Sequence, residues 1–331
     1  MENIFLCPMC KSSFSLPKCQ CGYNVPYINK IYRLTDDPYM VKDGSADVKY
    51  IGYEDIGQYY SGLSLYEKMK IEEQHIKISE LIGDGILLDL ACGDGAYTIP
   101  FVLQGVKTIS MDISDKMLSF LYKRAEIAEI DCSRLVVCRG NALNIPLCDC
   151  SVDAVIANSV LHLISKPELV LKEINRVLKF GGKYFTFEDK PTTGKLNENK
   201  ISKEEKAANE KYEMLSGFIH RRYFQKLESY HIKGTRYSWY FNRDQICREM
   251  FGHEETHIIQ RNHKIVNRFK DVFLYRMAGK GYSDQSNVPQ DIHAKVFEEV
   301  MSEFLAEYGA EALNTVFTGY EKDIKITVYI K

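Results

Sequence analysis

The sequence predicts an α/β protein organised on a buried, mostly parallel sheet, and three stretches carry that prediction. GILLDLACGDG (Gly85 to Gly95) is an apolar run, Ile86, Leu87, Leu88 and Leu90, interrupted by Asp89 and ended by a loop holding Gly93 and Gly95. A short continuous apolar run bounded by glycines reads as a parallel strand covered on both faces. AYTIPFVLQ then spaces its apolar residues as a helix does, and KTISMDISDKML supplies a second apolar strand ending in Asp112, seventeen residues after Gly95. Strand and helix keep alternating, as parallel sheets require. RLVVCRGNALNIP holds a third strand (Leu135 to Cys138) and SVDAVIANSVLHLI a fourth ending at Asn158. KPELVLKEINRVLKFGGKYFTFED gives a helix, a Gly181-Gly182 turn and a fifth strand.

Composition narrows the function classes. The chain has 331 residues, 45% hydrophobic and 27% charged, with a net charge of −2. That is ordinary for a globular protein of a core plus additions, and argues against one that coats nucleic acid. No run approaches the ~18 apolar residues of a membrane span. MENIFLCPMC has no basic n-region or cleavage site, so the expected location is the cytoplasm, where ten cysteines read as thiols or metal ligands.

From the N-terminus, Cys7-Pro-Met-Cys10 and Cys19-Gln-Cys21-Gly22 are two close cysteine pairs separated by eight residues. Such pairs can bring four thiolates into a tetrahedron around Zn2+, a closed and therefore structural site. A segment this short buries too little surface to fold alone, which a metal would remedy. With its continuation GYNVPYINKIYRL the segment resembles a zinc-ribbon domain of the Trm112 type, expected over residues 1–35.

Residues 36–84 read as a polar linker (Asp36 to Lys49, with Pro38 and Gly44) and N-terminal lid helices. The latter include a tyrosine-rich stretch with Tyr50, Tyr53, Tyr59, Tyr60 and Tyr66. LYEKMKIEEQHIKISELI is an amphipathic helix leading into the first strand, with His75 expected on its exposed face.

The stretch from Leu87 to Asp189 resembles the class I S-adenosylmethionine-dependent methyltransferases, in the subgroup of ubiquinone/menaquinone-type enzymes. The resemblance rests on Asp89-x-Ala91-x-Gly93-x-Gly95, the acid Asp112 after the second strand, and Gly140-Asn141-Ala142 after the third. It implies a Rossmann-like sheet with strand seven antiparallel, binding S-adenosylmethionine over residues 85–190. Asp89, Ala91, Gly93 and Gly95 would hold the methionine end, Asp112 with Ile113 the ribose, and Asn141 and Ala142 would flank the adenine. Most members carry an acid where Asn141 stands; its carbonyl can still accept a hydrogen bond. A lid tyrosine often closes over the cofactor, and Tyr59 or Tyr60 fits that part. Zinc-ribbon heads also occur on bacterial ribosomal-RNA guanine methyltransferases, whose metal set typically includes a histidine that this segment lacks.

In open α/β sheets the site lies beyond the carboxyl ends of the strands, which selects Asn158-Ser159-Val160-Leu161-His162. Asn158 would contact the cofactor, and His162 is the titratable group placed to act as a general base, or else to orient the loop. The loop differs from the [N/D]-P-P-[Y/F] pattern of adenine and glutamine N-methylation. Glu188 and Asp189 would point at the cleft.

In the back third, RDQICREMF and ETHIIQRN fit the last helix and strand six, and residues 323–331 alternate as strand seven. Two insertions, Pro191 to Trp239 and Asn262 to Lys322, leave residues 191–322 as a helical substrate lid around that helix and strand. Residues 200–280 hold seventeen Lys and Arg against ten acids, residues 281–331 four against nine. The basic stretch FIHRRYFQKLESYHIKGTRYSWYF, with His220, Arg221, Arg222 and Tyr223, would track a phosphate backbone, line an aromatic pocket or form a solvated helix face. The acidic VFEEVMSEFLAEYG would pack on it or on a second subunit. Three functions remain: methylation of a small-molecule acceptor, expected first; methylation of a ribosomal- or transfer-RNA base, gripped by ribbon and basic lid; and cofactor sensing without catalysis. No membrane partner is expected.

Overall fold

The computed structural model describes residues 1–35, 71–187, 202–234 and 242–331. The whole linker (Asp36 to Lys49), all the lid tyrosines from Tyr50 to Tyr66, Glu188 and Asp189 lie outside the described residues. At the centre run the parallel strands β5 (Ile86–Leu90), β6 (Lys107–Asp112), β7 (Leu135–Arg139), β8 (Val152–Ile156) and β9 (Leu178–Phe187), in the order β9-β8-β5-β6-β7. Successive side chains of β5 point to opposite faces. Leu87 packs with Ile78 of α1 (Glu73–Ile82) and Phe101 of α2 (Thr98–Leu103). Leu88 and Leu90 pack with Val170, Leu171 and Ile174 of α4 (Pro167–Val177). Between them in sequence, α3 (Asp115–Ile127) covers the sheet with Leu118 and Leu121.

His75 departs from the expected exposed position: it is 5% exposed. As the third residue of α1 it reaches back, its Nδ1 accepting the Glu72 N–H at 3.0 Å, and its ring meets Tyr97 and Phe101 edge-on at 5.5 and 5.4 Å. Helix periodicity marks a face as polar but does not register a capping box that draws a polar ring inward. Burial pushes its pKa down to about 4, so it is neutral at physiological pH.

The N-terminal segment continues the sheet. Its hairpin β1 (Phe5–Leu6) and β2 (Ser13–Phe14) rests on the core through buried Phe5 and Phe14. Each buried aromatic contributes roughly 2–3 kcal/mol. Its second hairpin, β3 (Tyr27–Ile28) and β4 (Ile31–Arg33), pairs β4 parallel to β7 and so extends the sheet by two strands.

At the opposite edge β11 (Val316–Ile330) lies antiparallel between β9 and β10 (His253–Arg268), the inserted arrangement the sequence implied. Both strands outrun their expected limits: strand seven begins at Val316 instead of 323, and strand six continues to Arg268. Only Ile326–Ile330 pairs with β9, so the outer halves form a two-stranded ribbon. There the polar run TGYEKD (318–323) is not asked to alternate for a core. The Gly181-Gly182 turn lies inside β9 as a register break between the Val152 and Ala154 pairings, with Gly181 at φ 76°.

The ribbon carries the helical insertion that the sequence reading expects as a lid: a π-helical turn (Phe269–Leu274), α7 (Tyr275–Ala278) and α8 (Gln290–Tyr308), packed against α5 (Lys203–Glu228). Helix α6 (Arg243–Met250) instead joins the sheet core through Cys247. In α5 a stripe at four-residue spacing, Leu215, Ile219, Tyr223 and Leu227, meets Phe269, Val296, Val300 and Phe304 in a second core. The basic face of α5 meets the acidic face of α8: Arg222 pairs with Glu303 at 3.0 Å, and Lys226 with Glu299 at 3.1 Å and Glu303 at 2.9 Å.

One side chain clamps α5 to the ribbon. Buried Asn209 donates to the Thr318 carbonyl and accepts from the Thr318 N–H, both at 2.9 Å. Asn209→Ala would leave both backbone groups unpaired at a cost of about 2–3 kcal/mol, read as a lower urea midpoint. A midpoint equal to wild type would show that water replaces the clamp.

Candidate active site

A cavity of about 320 Å³ opens at the carboxyl ends of β5, β6 and β8. On one side its wall is the loop after β5. Ala91 and Gly93 both adopt left-handed φ, 57° and 54°. That conformation costs a non-glycine residue of the order of 1 kcal/mol, and Ser159 on the other wall carries it too, at φ 54°. Gly95 (φ 82°) is absent from the lining: a Cβ there would lie 2.9 Å from Leu121 Cγ, so this glycine lets the loop pack against α3.

Asp112 ties the loop to the second strand. Its Oδ2 accepts the Gly93 N–H and its Oδ1 the Ser114 N–H, both at 2.9 Å. Ser114 in turn caps α3, its Oγ accepting the Met117 N–H at 3.2 Å. Asp89 is 2% exposed and accepts the Thr98 hydroxyl at 2.6 Å, and that hydroxyl also contacts Ser110 Oγ at 2.8 Å. Burial pushes the Asp89 pKa up to about 7; the nearby Asp112 and Asp94 add to the rise and the Thr98 hydrogen bond opposes it. Asp94, which sequence reading passed over, forms a buried ion pair with Arg124 of α3 at 2.8 Å. Its signal was present in A-C-G-D-G, but its partner lies thirty residues on.

The remaining cofactor candidates Ile113, Asn141, Ala142 and Asn158 all line the cavity, as does His162. Asn141 Oδ1 accepts the Leu143 N–H at 2.9 Å, folding its loop into a turn. Asn158 Nδ2 donates to the Tyr97 hydroxyl at 3.0 Å, joining the loop after β8 to the N-cap of α2. Tyr97 packs in a tilted contact on Phe187, ring centroids 5.1 Å apart, so a ring unforeseen from the sequence holds the Asn158 amide. His162 sits exposed in a 3-10 turn, Leu161–Leu163. Tyr59 lies outside the described residues. The lid contributes Arg276 to the lining, from α7.

The cysteines form a separate site. The ligand atoms of Cys7, Cys10, Cys19 and Cys21 all lie within 4.8 Å of one another, with Cys7 and Cys21 Sγ at 3.7 Å and Cys10 and Cys19 Sγ at 3.6 Å. Thiolates at ~2.3 Å from a tetrahedral ion would be spaced in this way. The Ser12 N–H and hydroxyl lower the Cys10 pKa to about 6.

Comparison with known proteins agrees with the sheet. Residues 88–186 match the family profile of a methyltransferase domain. Thiol S-methyltransferase TMT1B of Mus musculus is 34% identical over 129 residues, 37% of this chain and 52% of that protein. Demethylmenaquinone methyltransferase of Bacillus velezensis is 29% identical over 139 residues, 41% of this chain and 59% of that protein. The chain thus spans little more than half the length of these relatives. Among solved structures, the YcgJ protein of Bacillus subtilis aligns over 80% of this chain and 99% of its own, at 15% identity and a TM-score of 0.43. Residues 88–186 thus match a methyltransferase-domain profile and lie on a Rossmann-like mixed sheet, and no helix among the described residues is long and apolar enough to cross a membrane.

The Asp89 carboxyl makes a pH prediction. Its folded pKa of about 7 exceeds the unfolded value, so the folded state binds the proton more tightly. The stability this supplies is complete below about pH 4 and lost as pH rises through about 7, by at most about 4 kcal/mol. Asp89→Asn should abolish that slope in urea unfolding between pH 4 and 8; parallel pH profiles for variant and wild type would disprove the shift.

Proposed function

We propose that the protein transfers a methyl group from S-adenosylmethionine to a small-molecule acceptor. The observation that carries this reading is the single cavity whose wall joins the glycine loop, Asp112 and Asn141 on one side to Val160, His162, Leu163 and the lid's Arg276 on the other.

The residues fit the cofactor. Two acids, Asp89 and Asp112, with Asp94 behind them, make the loop side favourable to a ligand that carries a sulfonium and an ammonium. Asp112 accepts a backbone N–H on each oxygen, and its carboxylate at the end of β6 would accept the ribose hydroxyls. Ala142 and Asn141 would flank the adenine, and Asn158 would be held against the cofactor by Tyr97. When bound, the cofactor supplies a methyl on a good leaving group. The protein's part is then to align the acceptor and exclude water. Apolar Val160, Leu163 and Ile164 would do the second, and His162 at the rim would take a proton from an acceptor that does not ionise by itself.

Support for a small acceptor over RNA comes from the lid: the basic face of α5 is paired with the acids of α8 and is not an open phosphate track. The relatives named above act, by their names, on thiols and on demethylmenaquinone. Labelled methyl offered in parallel to RNA and to a small-molecule extract should appear in the extract, and counts in RNA would reverse the reading. Asp112→Asn should weaken S-adenosylhomocysteine binding by about tenfold or more in calorimetry, the scale of one charge-assisted hydrogen bond; an unchanged affinity would remove the ribose assignment.

We further propose that Cys7, Cys10, Cys19 and Cys21 hold one structural Zn2+ in a ribbon fused to the sheet, and that the protein works in the cytoplasm, in keeping with ten cysteines that form no disulfide. Elemental analysis should find one zinc per chain. Chelation or Cys10→Ser should lower the melting temperature; a metal-free protein with unchanged melting would overturn the assignment.

A further inference from the structure

We infer that Arg276 is the recognition residue for an oxyanion on the acceptor, which makes the acceptor an organic acid with an apolar body and a carboxylate or phosphate group. The inference rests on the methyl-transfer reading of the cavity. The charged groups that the sheet loops bring to the lining are acids, Asp89, Asp94 and Asp112, whereas the lid brings a guanidinium. The wall near strand four adds apolar Val160, Leu163 and Ile164 beside the uncharged polar Asn158 and Ser159 and the rim residue His162.

Arg276 is held as a fixed group. Its Nε–H donates to the Gly281 carbonyl at 3.0 Å and its guanidinium lies over the Tyr282 ring, 4.6 Å from the centroid. The short helix that presents it is locked from behind. Gln285 Nε2 donates to the Met277 carbonyl at 2.9 Å, and His293 Nε2 to the Ala278 carbonyl at 2.8 Å. That second bond leaves His293 Nδ1 to accept the Tyr223 hydroxyl at 2.7 Å. Gln285, His293 and Tyr223 are at most 2% exposed.

With Nε committed, the edge formed by Nη1 and Nη2 remains, and no carboxylate among the described residues pairs with it. That edge is a planar two-donor fork, the geometry that matches a carboxylate or phosphate through two parallel hydrogen bonds. Held by backbone and ring contacts, it gives up little side-chain entropy on binding. The same fork could take the carboxylate of the cofactor itself, and the test must separate the two.

The probes are benzoate and phenyl phosphate, with benzamide as the neutral control, each at millimolar concentration. They are added to full-length protein saturated with S-adenosylhomocysteine, and binding is read by calorimetry and melting temperature. Wild type should bind at least one anion and not benzamide; which anion binds decides between carboxylate and phosphate. Arg276→Gln should weaken that anion by about tenfold or more, the scale of a lost charge-assisted pair, while leaving S-adenosylhomocysteine affinity unchanged. Arg276→Lys should lie between, since a point charge cannot form the fork. The inference is overturned if neither anion binds, if anion binding survives Arg276→Gln, or if that variant loses S-adenosylhomocysteine affinity, which would assign the guanidinium to the cofactor. Failure of wild type to bind S-adenosylhomocysteine at all would be a failure of the transfer reading and would remove this one with it.

Discussion

The geometry of the cavity depends on one carboxylate. Asp112 ends β6, yet its two oxygens hold the Gly93 N–H of the neighbouring loop and the Ser114 N–H that opens α3. Hydrogen bonds to an ionised acceptor are about twice as strong as neutral ones. This one group therefore sets how the glycine loop, the second strand and the next helix meet. The left-handed turn at Ala91 and Gly93 is strained for a side chain, and the Asp112 bond is the local interaction that over-determines it. From the other direction, Asp94 in the same loop is pinned by buried Arg124 of α3. Loop and helix are thus fastened by two carboxylates, one from each side.

The lid obeys a different constraint. It hangs from a two-stranded ribbon that has left the sheet, so it needs a core of its own, and α5, the π-helical turn and α8 provide one. The pairs between α5 and α8 lie at the surface, where solvent screens them, and add little to stability. They neutralise two of the bases, Arg222 and Lys226, that an RNA reading of this insertion would draw on. What the lid offers the cavity is narrower: one guanidinium on a single helical turn.

Legibility in the sequence followed regularity. The apolar run of β5, its glycine loop and the spacing to Asp112 were readable because strand period and turn chemistry are local. So were the four cysteines, whose spacing is itself the signal. The basic, aromatic-rich composition around Tyr223 was legible too, but its place on a buried stripe with Leu215, Ile219 and Leu227 was not read from it. His75 was misplaced because its fate is decided by a cap and two rings from another helix. Arg276 carried no signal: a four-residue helix has no period, and its place in the wall is set by Gln285, His293 and Tyr223, residues up to fifty-three positions away. The outer halves of β10 and β11 escaped notice because strands that pair only with each other need no apolar alternation.

The N-terminal segment bears on the acceptor through its attachment. A cysteine-rich segment ahead of a stretch that matches a methyltransferase profile raises the question of a grip for a large substrate. Here β4 pairs with β7, and Phe5 and Phe14 are buried in the same core as Leu88 and Val170. Arg33 of β4 bonds Asp115 at 2.7 Å, the first residue of α3 and a neighbour of the Ser114 cap. The segment thus extends the sheet beyond β7 and braces the helix that follows Asp112. Surface spent on the sheet and on α3 is not available to a nucleic acid, and the residues nearest the cavity belong to the sheet loops and the lid. The contacts described for the cysteine segment are with the sheet edge and α3, whereas Arg276 reaches the cavity wall from the opposite end of the chain.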